Sequence, residues 1–216
     1  MSKEWSMGAV VRSAGVMALA LVLVGCAGNR VNQPSESSLA DLRARLSMGQ
    51  CTPELTAQVI AAQQAPLHLE AAYQCLTNAR LELSEQLLSD YRNSFAQRAD
   101  QDYAAYLAAL IPYARFELAA GDSQQRLEQG RAAHGQMVAF VRAYPQSRYR
   151  SELAERMESI LQGMAQAEYD LALVDAEHGQ QARAERRMRY LRENYPRTPA
   201  ATSAIAWLID QRSVQD

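Results

Sequence analysis

Two segments of the chain share one pattern of residues: AHGQMVAFVRAYPQS at positions 133–147 and AERRMRYLRENYPRT at positions 184–198. Each begins with Ala, has Met at its fifth place and a large apolar residue at its eighth, and then reaches Tyr-Pro. This spacing is typical of the second helix of a tetratricopeptide-like repeat, where the Ala allows another helix to approach closely. Proline ends the helix, because it disfavours the helical conformation of the residue before it. The pattern therefore predicts stacked pairs of helices.

The residues between these segments predict one long helix. Apart from Gly163, no helix-breaking residue lies between Ser147 and His178, and the apolar residues keep a helical period. A fused helix explains why the two Tyr-Pro pairs are separated by more than the roughly 34 residues of a regular repeat. We therefore predict an all-α fold, a tetratricopeptide-like helical-repeat solenoid of about nine helices with one fused helix at about 147–178.

Capping residues indicate where helices begin. Ser38 opens a capping-box-like sequence and predicts the first helix, whereas Thr52-Pro53 predicts the second, with a capping hydroxyl followed by Pro at the first helical position. After the Tyr-Pro pairs, Ser147 and Thr198 are placed to cap the helices that follow.

Two further expectations concern the middle of the chain. We place the third helix at about 67–78 and the fourth at about 79–91 from their apolar periods. Pro112 lies inside the next helical pattern, and we expect it to kink or split that helix near Leu110, because proline cannot donate the helical hydrogen bond.

The N-terminal residues resemble a bacterial lipoprotein signal. The first twelve residues carry two cations, Lys3 and Arg12, and an apolar run follows at 14–24. This run is shorter than the roughly 20 residues needed to span a bilayer. The run ends in LVGC at 23–26, which resembles a lipobox. The sequence therefore predicts a signal peptide at 1–25; the alternative is an ordinary signal peptide with a chance cysteine.

The lipobox resemblance implies cleavage before Cys26 and acylation of that residue, which would anchor the protein to a membrane. Ala27 stands where an inner-membrane lipoprotein usually has Asp, so the implied location is the outer membrane, facing the periplasm. Small and polar residues then predict a flexible tether at 26–38, and the helical-repeat domain is expected at 39–216.

Composition narrows the function classes. The formal net charge is −2 and the pI is about 6.0, which argues against a nucleic-acid partner. The three histidines are far apart, and no spacing typical of a metal site, a catalytic triad or a phosphate-binding loop is present. We therefore predict no catalytic residues, no metal, no cofactor and no enzymatic activity.

Two further cysteines, Cys51 and Cys75, fall near the ends of the first and third predicted helices. First helices of successive pairs run parallel in such stacks, so these ends are expected to lie side by side, and an oxidising compartment would then favour a disulfide. The alternative is a pair of buried, reduced thiols.

The segment from Arg131 to Tyr149, with Tyr169, Gly179 and Tyr195-Pro196 further on, resembles the BamD family, also called ComL or YfiO. These are helical-repeat lipoproteins of the outer-membrane β-barrel assembly machinery. The resemblance implies a scaffold that binds the barrel-forming subunit, other lipoproteins of the machinery and unfolded outer-membrane proteins.

The resemblance also suggests where a partner would bind. Arg187 falls at the position of a family Arg that pairs with an acid on the barrel-forming subunit. We take five residues as partner-binding candidates: Arg183, Arg186, Arg187, Tyr149 and Tyr169. The alternative interpretation of the arginines is a solvated helix face, with Glu185 and Glu193 as local ion-pair partners.

Residues 39–78 depart from the family, being shorter than its first two repeats and lacking their Tyr-Pro signal. A second function therefore stays open: a helical-repeat lipoprotein of another envelope machine, such as a secretin pilotin or a division or peptidoglycan coordinator.

Overall fold

The computed structural model describes residues 35–213; the predicted signal peptide and the lipid anchor at Cys26 lie outside them. Within this range the chain forms nine α-helices and no strand. They are α1 (Glu36–Ser47), α2 (Pro53–Ala61), α3 (Ala65–Thr77), α4 (Leu81–Ser94), α5 (Gln101–Leu118), α6 (Ser123–Ala143), α7 (Arg150–Glu177), α8 (Gln181–Asn194) and α9 (Pro199–Ser213).

The helices stack in chain order. Each packs on the next one along the chain, and α1, α3, α5, α7 and α9 also contact one another in succession. Contact between every second helix is what a stack of antiparallel pairs produces, since the first helices of successive pairs lie side by side. The predicted all-α helical-repeat fold is confirmed.

The two repeated segments form most of the last three turns of α6 and of α8. Their Ala, Met and large apolar residues are buried. These residues are Ala133, Met137 and Phe140 in α6, and Ala184, Met188 and Leu191 in α8. Each helix ends just before the Tyr-Pro pair, with Tyr144 and Tyr195 as the C-terminal caps. The pattern thus identified both the buried face and the helix end.

Of the four predicted capping residues, Thr52 and Thr198 cap their helices, whereas Ser38 and Ser147 do not. Thr52 Oγ1 accepts a hydrogen bond from the Leu55 N–H at 3.2 Å, and Thr198 Oγ1 accepts one from the Ala201 N–H at 3.2 Å. The first helix begins at Glu36 and not near Ser38, so the last residues of the predicted tether at 26–38 are helical.

Hydrogen bonds in the structure explain both incorrect caps. Ser35 Oγ accepts from the Ser38 N–H at 3.2 Å, which makes Ser35 the cap and places Ser38 in the first turn. The Ser147 hydroxyl instead donates to Asp102 Oδ2 of α5 at 2.8 Å, and α7 starts three residues later at Arg150. Ser147 Oγ also accepts from the Tyr149 N–H at 3.3 Å, but Tyr149 lies before the first helical residue.

Three helix ends share one geometry, in which a backbone N–H bonds to the carbonyl five residues earlier and the residue before it has positive φ. That residue is Gly49 after α1, Gly179 after α7 and Ala79 after α3. Ala79 was expected to open the fourth helix. It is instead part of the turn, with φ at 55°, and α4 begins at Leu81.

Pro112 does not split α5, which runs without a break from Gln101 to Leu118. The proline is buried, and α5 is packed against α3, α4, α6 and α7. Tertiary packing on several sides holds the helix together where its own hydrogen-bond ladder lacks one donor.

The fused helix is confirmed as α7, which is 28 residues long. Its glycine, Gly163, lies where α5 comes closest: a Cβ added there would be 2.4 Å from Phe116 Cζ. In α6, a Cβ on Gly130 would be 2.5 Å from Met164 Cγ and 3.2 Å from the Phe116 ring. The two glycines therefore leave the space that the Phe116 and Met164 side chains fill.

We predict that Gly163→Ala lowers the free energy of unfolding by about 1–3 kcal/mol, because the added methyl would overlap the rigid Phe116 ring. Gly135→Ala is the matched control on α6, since nothing lies within 4 Å of a Cβ there. That variant should gain about 0.5–1 kcal/mol, because Ala restricts the unfolded chain. Urea unfolding followed by circular dichroism measures both; equal effects of the two changes would contradict the packing argument.

Cys51 and Cys75 form a disulfide whose Cα atoms are 5.4 Å apart. Cys51 lies in the turn before α2, and Cys75 lies in the last turn of α3. The bond joins the first helix pair to the second, at the place where α1 and α3 contact each other.

We predict that the mature protein carries this disulfide and that the double substitution Cys51→Ser, Cys75→Ser lowers the free energy of unfolding. The bond closes a loop between residues 24 apart in sequence and so lowers the entropy of the unfolded chain. On the chain-entropy model this stabilises the folded protein by about 3 kcal/mol. Mass spectrometry under non-reducing conditions reports the bond directly. Two free thiols in the protein purified from its native cells without reductant would refute it.

Candidate functional site

The partner-binding candidates fall in two places. Arg183, Arg186 and Arg187 lie on α8, and Arg183 and Arg187 face the C-terminal half of α7. Tyr169 is half-buried on α7 and packs against the core. Tyr149 lies directly before α7, where it packs with tyrosines of α5. The structure therefore separates Tyr149 from the arginines.

Arg187 joins α8 to two acidic side chains of α7. Its Nη1 donates to Glu168 Oε2 at 2.5 Å, and its Nε donates to Asp175 Oδ2 at 2.9 Å. The Glu168 side chain is 6% exposed and that of Arg187 is 21% exposed. A carboxylate as buried as Glu168 requires a paired cation. Arg187 therefore holds α7 and α8 together.

Two more arginines complete this ion cluster. Arg183 Nε lies 3.4 Å from Asp175 Oδ2, and Arg131 Nη2 of α6 donates to Glu168 Oε1 at 3.3 Å. The cluster thus combines three arginines with two carboxylates, and one positive charge remains in excess. Arg131 and Arg183 have exposed side chains, so the excess charge faces solvent.

The pKa of Arg187 reflects this environment. Burial by itself lowers the pKa, but the hydrogen bonds to Asp175 and Glu168 outweigh it and hold the pKa of Arg187 above its ordinary value. Next to the cluster, burial and then the neighbouring Tyr190 raise the pKa of Tyr195 to about 12. Arg187 is therefore charged at every physiological pH, and Tyr195 is neutral.

Sequence reasoning missed Glu168 and Asp175 as the partners of Arg187. A signal was present: both carboxylates fall on the stripe formed with Ala165 and Ala172, at steps of three and four residues along α7. All four residues are buried. Acidic residues on an otherwise apolar stripe need cations from another helix, and α8 supplies them.

The outer face of α8 agrees in part with the interpretation of a solvated surface. Arg189 pairs with Glu185 at 2.8 Å and Arg192 with Glu193 at 3.0 Å, and both arginines are exposed. Arg186 is also exposed, and among residues 35–213 no carboxylate lies within 4.0 Å of it. Arg186 is thus available on α8 in a way that Arg189 and Arg192 are not.

The second place is an aromatic cluster between α5 and the start of α7. The Tyr149 ring stacks on Tyr106 with centroids 4.5 Å apart and lies 5.3 Å from the Tyr103 ring. Tyr106 donates to Glu152 Oε2 at 2.5 Å; burial and then this hydrogen bond raise the pKa of Tyr106 above its ordinary value. The cluster fixes the N-terminal end of α7 against α5.

A groove of about 730 Å³ opens beside this cluster. Its walls come from α3, the turn before α5, the start of α5 and the turn before α7. Tyr73 of α3 is 45% exposed and faces it together with Tyr103 and Tyr149. Tyrosines that offer a flat apolar face and a hydroxyl are well suited to binding polypeptide segments. We call this the aromatic groove.

None of the helices in the described part of the chain has the length and hydropathy needed to cross a membrane. Over residues 35–213, no group of three or more His, Cys, Asp or Glu side chains is placed to hold a metal ion.

Stacked helix pairs, one fused helix and a cluster of exposed arginines define a helical-repeat protein with surfaces suited to binding other proteins. A family model described as YfiO, outer membrane lipoprotein, matches residues 58–214. The match covers well over half of the chain, so this chain belongs to the YfiO family of outer membrane lipoproteins, the one that its sequence resembles. The match begins within α2, leaving α1 outside it.

We predict that Arg187→Leu lowers the free energy of unfolding by roughly 2–4 kcal/mol, because Glu168 and Asp175 lose a cation while staying largely buried. Arg189→Leu, on the same helix, removes only an exposed pair and should cost less than about 0.5 kcal/mol. Denaturant unfolding of both variants tests this. Equal, small losses would mean that Arg187 does not hold the two helices together.

Proposed function

We propose that this protein is a non-catalytic scaffold of outer-membrane β-barrel assembly, which binds the periplasmic domains of the barrel-forming subunit. The observation that carries the proposal is the YfiO family match over 58–214, together with a helical-repeat fold across the matched helices. Repeats of this kind bind through extended surfaces and need no catalytic residues.

The proposed docking surface is the exposed side of the Arg187 ion cluster. The cluster has one positive charge in excess, and Arg183 and Arg131 expose it. Arg186 adds a further exposed cation on α8. A carboxylate on the partner would balance the excess charge of the cluster. The guanidinium has enough N–H donors to bind a carboxylate of the partner while it stays bonded to a carboxylate of its own chain. Arg187 then has two roles, holding α7 to α8 and orienting the cations that a partner meets.

The aromatic groove is proposed as the binding site for unfolded outer-membrane proteins. It is open, large enough for a short chain segment, and faced by Tyr73, Tyr103 and Tyr149. Segments destined for a β-barrel alternate apolar with polar residues, and the tyrosines can pack against the former while their hydroxyls meet the latter.

Attachment to the outer membrane is proposed to occur through acylated Cys26, with the helical repeats on the periplasmic side. The lipobox-like LVGC at 23–26 and the family description support this. One or more acyl chains would place the docking surface near the membrane in which barrels are assembled.

A second candidate is a scaffold lipoprotein of another envelope machine, such as a secretin pilotin or a division or peptidoglycan coordinator. The observation that favours it is the start of the family match at residue 58, which leaves α1 and the first half of α2 without a counterpart. New surface at that end could suit a different partner.

Pull-down of the tagged protein from detergent-solubilised outer membranes separates the candidates. We expect the barrel-forming subunit to be recovered, and we expect Arg183→Glu with Arg186→Glu to lower its recovery about tenfold through charge repulsion with an acidic partner surface. Arg189→Glu with Arg192→Glu is the matched control, with the same charge change on the same helix at arginines that lie outside the ion cluster.

Recovery of a secretin would support the second candidate, and recovery of neither partner would overturn both. Equal losses in the two double variants would remove the docking surface from the proposal while leaving the scaffold role in place. The same preparation gives the N-terminal mass, which should correspond to a chain that begins at an acylated Cys26.

A further inference from the structure

A second groove lies between α6 and α7, next to the aromatic groove, with which it shares Arg148. It has a volume of about 650 Å³ and is bounded by the last turns of α6 and the first two turns of α7. Its apolar lining comes from Val138 and Val141 on α6 and from Ala154 and Met157 on α7. We call it the α6–α7 groove.

Three arginines surround this apolar lining: Arg142, Arg148 and Arg150. All three are exposed, and none of the nine residues that line the groove carries a carboxylate. Within residues 35–213 no carboxylate lies within 4.0 Å of any of the three guanidinium groups. Arg150 donates to the Pro145 carbonyl at 2.6 Å, so one of its N–H groups is used and the others stay free.

Helix stability does not account for these charges. Arg142 lies in the last turn of α6, where a cation is favourable at the negative end of the helix dipole. Arg148 and Arg150, however, lie at the start of α7, where the positive end of the dipole disfavours cations. On α8, by comparison, four arginines pair with carboxylates of the chain. Arg150 is therefore unfavourably placed for its own helix, and Arg148 contacts the ring and hydroxyl of Tyr149. Among residues 35–213, no carboxylate forms an ion pair with any of the three arginines.

We propose that the α6–α7 groove binds an acidic segment of a partner protein that carries one or two large apolar side chains. The apolar side chains would fill the space between Val141 and Met157, and the flanking carboxylates would meet Arg142 and Arg150. Arginine suits this task because its planar group can bind a carboxylate through two parallel hydrogen bonds. A bounded slot between two helices fits a short polypeptide segment better than the flat face of a membrane. This inference does not depend on the docking surface proposed for α8.

Fluorescence anisotropy with the full-length protein in a nonionic detergent tests the proposal. The probe is a fluorescein-labelled synthetic peptide with two leucines flanked by glutamates. We expect saturable binding at low salt that weakens by about tenfold in Arg142→Glu with Arg150→Glu, as expected for the loss of close charge pairs. Ala154→Gln, which places a larger side chain on the exposed Ala154 of the groove wall, should weaken binding without changing the charge. Arg148 is left unchanged, since it also lines the aromatic groove.

Three controls decide the outcome. Arg189→Glu changes an exposed arginine of α8 that lies outside both grooves and outside the docking surface, so it should leave peptide binding intact. A glutamine version of the peptide should bind at least about tenfold more weakly. An equal loss in Arg189→Glu, equal binding of the glutamine peptide, or no binding at all would overturn the proposal. Displacement of the bound peptide by dihexanoyl phosphatidylglycerol, a short-chain anionic lipid, would also overturn it. Circular dichroism of each variant checks that the helices are intact.

Discussion

The Phe116 ring lies against glycines of two neighbouring helices, and this contact sets how closely α5, α6 and α7 approach one another. No Cβ fits on Gly163 without meeting the ring, and Gly130 leaves room for Met164 beside it. The Arg126 guanidinium covers the ring, 4.7 Å from its centroid. Because every helix of the stack contacts chiefly its neighbours, an error in this spacing would be passed to the pairs on either side.

The interface between α7 and α8, the next along the stack, is also closely packed, and it contains buried charges. The stripe of α7 that packs towards α8 alternates two small alanines with the carboxylates of Glu168 and Asp175. Buried in this way, they require Arg187, whose long side chain reaches across from α8. The arginine that the family resemblance singled out for a partner thus has a structural task in the chain itself.

Local patterns in the sequence were enough for the helix types, the fused helix and the buried Ala, Met and Leu positions, because these depend on periodicity within a single helix. They were not enough where a residue is satisfied by a distant part of the chain. Ser147 could not be assigned correctly without knowing that Asp102 lies beside it, and Ala79 adopts a backbone conformation that is usually left to glycine. The ion partners of Arg187 and the arginines around the α6–α7 groove required the packing of separate helices to be known.

The uninterrupted helix α7 fixes the distance between the two proposed binding surfaces. Glu152, which anchors Tyr106 beside the aromatic groove, and Asp175, which anchors Arg187, lie on the same rigid rod about 35 Å apart at 1.5 Å per residue. No turn interrupts the helix between them, so the two surfaces keep a constant separation. A ligand that binds both surfaces at once must therefore span that distance. Two separate ligands, one at each surface, contact each other only if they extend along α7.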